Sequence, residues 1–153
     1  MIRQELASPS SPATRARRRR AVGLQSEPAE LDLGTLCQRA GITAQFAREL
    51  EEFGLLAPVE GAGEKRYPAG DADVAALCSR LAKYGIGARH LRTFRTTADR
   101  EASLLEQLFA PALRSRNPER RQAGLEDLQA LAELAQELTQ LLFWRDLRQF
   151  ASQ

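Results

Sequence analysis

From Asp32 onward the apolar residues recur at three- and four-residue spacing, a rhythm that predicts short helices cut by glycine stops. Leu33, Leu36, Cys37 and Ala40 share one face behind Asp32, a fitting N-cap, and Gly41 ends the run. Thr43 then caps a second helix whose inner stripe is Phe46, Ala47, Leu50 and Phe53, closed by Gly54. Pro58, Gly61 and Gly63 punctuate a loop, and its flanks, Leu56 and Val59 against Arg66 and Tyr67, can pair as a small two-stranded wing. Asp71 or Asp73 opens a third helix along Val74, Leu77, Cys78, Leu81 and Ala82, stopped at Tyr84-Gly85. After Gly87 a short helix turns Leu91 and Phe94 inward. Arg89, Arg92 and Arg95 then project outward with His90 beside them. That group reads either as a solvated face or as a surface for an anion or an acidic partner.

The second half is helical throughout. Glu101 to Arg114 carries Leu104, Leu105, Leu108 and Phe109 on one stripe, with Pro111 predicting a kink or a break. Asn117-Pro118 restarts the chain, since proline suits a first helical turn. From Glu119 to about Phe150, Leu128, Leu131, Ala135, Leu138 and Leu142 repeat at three and four, and Leu134 and Leu141 widen the stripe. A helix of about 30 residues reaches about 45 Å, more than a domain of this size buries along its length. The stripe therefore meets the preceding helix, a second subunit or both, and its size favours a homodimer contact.

Charge and composition sharpen this picture. The 153 residues carry a net +2, but six Arg against two Glu fall within the first 27 residues, so the remainder is slightly acidic. A domain that lives on phosphate contacts normally shows a cationic excess, and this one does not. Ser8 to Glu30 holds three Pro, four Ser and the run Arg17, Arg18, Arg19 and Arg20, a composition that reads as a disordered linker. The Arg run is either a solvated tether or an arm touching DNA phosphates. Met1 to Leu6 resembles the last turn of a helix that began earlier. Cys37 and Cys78 have neither a CxxC partner nor a nearby His, so neither a zinc site nor a redox pair is indicated. The apolar runs are too short for a signal core or a membrane span, and a reducing cytoplasm fits.

The order helix, Ala40-Gly41-Ile42-Thr43, helix, Gly54-Leu55-Leu56, wing, helix resembles a MerR-type DNA-binding domain, with Arg48 six residues before Gly54 and Arg66-Tyr67 in the wing. The chemistry departs from that family. Gln45 stands where it has an early Arg, and Glu49, Leu50, Glu51 and Glu52 follow the shared Arg48 where it has Tyr-Tyr-Glu. In the wing, Lys65 and Arg66 are kept, but Glu64 replaces an aromatic. Longer stretches, Arg-x-Leu-Glu-x-Phe-Gly-Leu-Leu from Arg48, Lys-Tyr-Gly-Ile-x-x-Arg-His-Leu-Arg from Lys83, Ala-Asp-Arg-Glu-Ala-x-Leu-Leu-Glu-Gln-Leu from Ala98 and Arg-x-Arg-Asn-Pro-Glu from Arg114, are similar to the C-terminal region of actinobacterial FtsR-type MerR-family regulators. The resemblance implies a normal MerR domain upstream of this chain, then a linker, then a degenerate winged helix with a long helix. It also implies a regulator of cell-division genes.

The expected fold is mainly α: a degenerate, MerR-like winged helix-turn-helix over 31–98 and an amphipathic helical hairpin with a long C-terminal helix over 99–153, behind a linker over 1–30. The expected function is a regulatory and dimerisation domain that senses an effector or a protein partner. An effector pocket between Phe46, Leu50, Tyr67 and Leu91 and a solid core there are both open. The alternative is a DNA-binding regulator in its own right, using Arg48, Lys65, Arg66 and the Arg arm. An enzyme is not expected, because no phosphate loop, nucleophile arrangement, cofactor motif or metal-ligand cluster is recognisable, and Glu51 and Glu52 diverge by about 100 degrees on a helix.

Overall fold

The computed structural model describes residues 23–24, 29–61 and 63–153, and the Arg17 to Arg20 arm and the Met1 to Leu6 segment lie outside the described residues. In chain order the elements are β1 (Glu30–Leu31), α1 (Leu33–Ala40), α2 (Ala44–Glu52), β2 (Val59–Gly61), β3 (Glu64–Pro68), α3 (Gly70–Ala82), α4 (Ala88–Leu113) and α5 (Pro118–Ala151). The protein is mainly helical with a small three-stranded sheet and a long C-terminal helix, as the sequence pattern predicts. It divides into two compact units, one ending at Arg95 and one beginning at Thr96, so α4 runs through the boundary. No helix among the described residues is long and apolar enough to cross a membrane.

In the first unit the helix boundaries are set by local chemistry. Asp32 Oδ1 accepts the Thr35 N–H at 2.7 Å, and Thr43 Oγ1 accepts the Phe46 N–H at 3.1 Å. Each side-chain cap satisfies an otherwise orphaned donor, worth about 1 kcal/mol. Gly41 ends α1 at φ +67, a left-handed conformation that glycine adopts without the strain a Cβ would bring. The wing pairs Val59 with Arg66, Glu60 with Lys65 and Gly61 with Glu64. A third strand, which the periodicity does not predict, adds Glu30 against Pro68 and Leu31 against Tyr67, giving the order β1-β3-β2. Glu30, which composition assigns to the linker, thus belongs to the sheet.

The core lies between α1, α2, α3, β3 and the start of α4, with Leu36, Leu50, Tyr67 and Leu91 its largest fully buried side chains. Leu50, Tyr67 and Leu91 are therefore solid core, with Phe46 packed against them at the edge. The inward face of α3 differs from the expected one. Ala72, Ala75 and Cys78 are buried, while Val74 and Leu77 are exposed, because close approach of α1 and α3 admits small side chains and turns the larger ones out. Nor do Asp71 and Asp73 cap this helix: the N-cap is Ala69, which makes no side-chain cap bond. Asp71 instead is buried and accepts the Ala57 N–H at 2.8 Å, tying the entry of the wing to α3.

In the second unit, α4 and α5 meet where Gly124 sits against Ala112. A Cβ built on Gly124 would fall 2.9 Å from the Ala112 Cβ, so this crossing depends on glycine. Glu101 accepts hydrogen bonds from Gln136 and from Thr139 across the helix pair. Asn117 Oδ1 caps α5 on the Glu119 N–H at 3.0 Å, with Pro118 at its first position. Two helices were expected between 88 and 114, yet α4 is continuous over 26 residues. Nothing in Thr96-Thr97-Ala98-Asp99 breaks a helix, and Pro111 lies in the last turn, with α4 ending two residues later at Leu113. Phe94, expected inward, is exposed on α4.

Candidate partner and assembly surfaces

The helix-turn-helix is formed by α1 and α2, and its outward residues on α2 are Gln45, Arg48 and Glu52, with Glu49 half-buried beside them. Gln45 links this face: its Oε1 accepts from Arg48 at 3.2 Å, and its Nε2 donates to Glu49 at 3.4 Å. Glu51 does not join it. Its carboxylate is turned toward the wing, where it accepts from Lys65 Nζ at 3.0 Å and from the Tyr67 hydroxyl. The Glu51 side chain is 15% exposed, and burial alone would raise its pKa. The hydrogen bonds from Tyr67 and Lys65 and the Lys65 charge outweigh burial and hold the carboxyl below its ordinary range. The same burial, reinforced by the bond to Glu51, pushes the Tyr67 hydroxyl well above the usual phenol value.

Of the two wing cations, one is engaged within the domain. Lys65 is paired with Glu51. Asp32 is held below its ordinary range chiefly by the Thr35 backbone N–H, with the Arg66 charge contributing. Of the three carboxylates that follow Arg48, Glu49 and Glu52 lie on the outward side of α2 against one guanidinium, and Glu51 fastens the helix to β3. Like charge facing a phosphate at contact distance costs about 1 kcal/mol per pair in water and more when desolvated.

The second unit presents a different surface. Leu128, Leu131 and Ala135 are half-buried, whereas Leu134, Leu138 and Leu141 are 62, 58 and 63% exposed and Leu142 is exposed as well. The proposed interface residues therefore split: the first three face inward within the chain, and the last four form a strip on the outside. Leu104 and Leu108 add a strip of the same kind on α4. Toward its end α5 also exposes Phe143, Trp144, Leu147 and Phe150, beside Arg145 and Arg148.

The architecture is thus a winged helix with one wing cation paired to α2, followed by a hairpin ending in a long helix. The profile described as "Rv1828-like, C-terminal domain" matches residues 29–151. The chain belongs to this family. It is a family of MerR-like, winged-helix regulators, and the match takes in both compact units of the Rv1828-like domain. No curated protein matches the chain.

In this Rv1828-like domain a second set of sequence-predicted residues lies on α4 rather than on α2. Arg89, His90, Arg92 and Arg95 are exposed on the first turns of α4, and the Arg95 stem lies over the end of α2, within 3.6 Å of a Cβ built on Gly54. Periodicity overlooks two cations nearby, Arg80 and Lys83, exposed at the end of α3. The absence of any carboxylate between Val74 and Ala98 is the signal that could have found them. Cys37 and Cys78 pack in or against the core, and burial pushes both thiols up, away from the reactive thiolate.

Proposed function

We propose that this chain is the regulatory and dimerisation domain of a MerR-family transcription regulator of the FtsR type, in which promoter bases are read by a domain other than this one. The reading is of a non-enzymatic module. The observation that carries it is the exposed strip Leu134, Leu138, Leu141 and Leu142 on α5, with Leu104 and Leu108 on α4. Apolar surface left open on this scale is the mark of an interface, and full burial of each leucine contributes about 1.5–3 kcal/mol. The residual negative charge on the outward side of α2, with Lys65 paired to Glu51, supports separating assembly from base reading. A symmetric pair of copies would set the distance between two half-sites read by the partner domains.

The experiment is to replace Leu138 and Leu141 by Glu. Both side chains are exposed, so the fold tolerates the change, and size-exclusion with light scattering is expected to report conversion of a dimer to a monomer. An unchanged mass for the variant would remove the hairpin from the interface. The alternative, a DNA reader using Arg48, Lys65, Arg66 and the Arg17 to Arg20 arm, predicts that Arg48→Ala weakens duplex binding. On the proposed reading Arg48→Ala leaves it unchanged.

A further inference from the structure

The face that α3 turns outward is apolar where a solvated helix would be polar. Val74 is 37% and Leu77 45% exposed on α3, Arg80 follows one turn on, and Tyr84 is 51% exposed in the turn after the helix. Positions 74, 77 and 80 are three apart and form one ridge of α3, and Tyr84 lies in the turn just beyond its end. Lys83 precedes Tyr84, and Arg89 follows it across the turn into α4. Among the described residues no carboxylate pairs with Arg80, Lys83 or Arg89. From Val74 to Ala98 the chain has five Arg and Lys residues and no Asp or Glu. Asp73, one turn before Leu77, keeps its Oδ2 atom buried.

We propose that this α3–α4 corner is a docking face for an acidic, amphipathic segment of another protein: apolar side chains of the segment cover Val74, Leu77 and Tyr84, and its carboxylates meet Arg80, Lys83 and Arg89. It names the partner class within the regulatory reading above, and so rests on that reading. The apolar ridge decides against a nucleic-acid backbone, which needs cations but gains nothing from covering valine and leucine. A second copy has no free surface of this kind, because the leucine strip of α5, flanked by Glu133 and Glu137, is taken up by the dimer contact of the proposed function. The exposed aromatic end of α5 carries Arg145 and Arg148 against Asp146 and would bring like charge to Arg80 and Arg89. The acidic outward residues of α2 have no apolar stripe to offer, since Gln45, Arg48 and Glu52 occupy that side.

The test uses the full chain and a fluorescent synthetic helix with Leu at i, i+3, i+4 and i+7 and Glu elsewhere. Its companions are the same helix with Lys for Glu, the same helix with Ser for Leu, and a random-sequence duplex. Anisotropy is expected to show saturable binding of the Leu/Glu helix alone, weakened at least about tenfold by Arg80→Glu with Lys83→Glu and several-fold by Leu77→Ser. The melting temperature of each variant is expected to stay at that of the parent, since the altered side chains are exposed. No saturable binding of the Leu/Glu helix overturns the proposal, as does equal binding of the Lys helix. Duplex binding lost in the charge variant but untouched by Leu77→Ser would make the corner a phosphate contact and overturn it. A dimer that Leu77→Ser alone converts to monomer would make a second copy the occupant, with the same consequence. If the Leu/Glu helix fails while the dimer persists, this inference falls and the assembly reading stands.

Discussion

Leucine behaves in opposite ways in the two halves of this molecule. In the winged helix, Leu36 and Leu50 are 0% exposed, enclosed by the sheet and three helices. In the hairpin, Leu104, Leu108, Leu134, Leu138 and Leu141 are each about three-fifths exposed, and Gly124 is the one buried residue among the described residues 96–153. The contrast is one of geometry rather than composition. A sheet edge and several short helices close around a centre, whereas two long antiparallel helices share a single seam and leave their flanks to something else. The first unit therefore holds its own core, and the second leaves its leucines open.

The comparison breaks most sharply under truncation. Leu50→Ala is expected to cost about 2–5 kcal/mol in chemical denaturation, through lost burial and a cavity. Leu138→Ala, by the same measurement on dilute protein, is expected to change stability by no more than about 0.5 kcal/mol, because an exposed side chain leaves no cavity. Comparable losses at the two positions would erase the distinction. Next in size is the hairpin crossing. Gly124→Leu forces a side chain onto Ala112 and is expected to cost about 1–3 kcal/mol in a thermal melt followed by circular dichroism. A variant as stable as the parent would mean that the helices do not approach closely at Gly124.

Much of this architecture was legible because it is written locally. Asp32, Gly41, Thr43, Gly54 and Asn117-Pro118 each act within one turn of their own position, and each ends or starts an element as its residue type predicts. What depends on distant partners was not legible. The β1 strand needs Tyr67 and Pro68 from far along the chain. On the inward face of α3 the pattern finds Cys78 but misses Ala72 and Ala75, because Val74 and Leu77 outweigh them in hydrophobicity, while the space against α1 selects for size. Glu51 looked like one more charge against DNA, and only the placement of Tyr67 and Lys65 reveals it as a strut. In the candidate surfaces, the leucine spacing was readable, but the division of Leu128, Leu131 and Ala135 from Leu134, Leu138, Leu141 and Leu142 depends on where α4 lies.

The smallest expected effect concerns that strut. The folded pKa of Glu51 lies below its ordinary 4.5, so the contribution is present above that pH and is lost as pH falls through the folded value. Glu51→Gln is expected to cost about 0.5–1 kcal/mol at neutral pH, and to flatten the loss of stability of the winged helix on acidification. Parallel stability curves for parent and variant between neutral and acid pH would show that Glu51 carries none of the linkage.

The central claim is that the hairpin's open leucines are covered by a second copy. Sedimentation equilibrium of the full chain from nanomolar to high micromolar concentration measures this directly. Twice the 17.0 kDa chain mass at the upper end, falling toward 17.0 kDa on dilution, is the predicted result. A mass of 17.0 kDa throughout would contradict it.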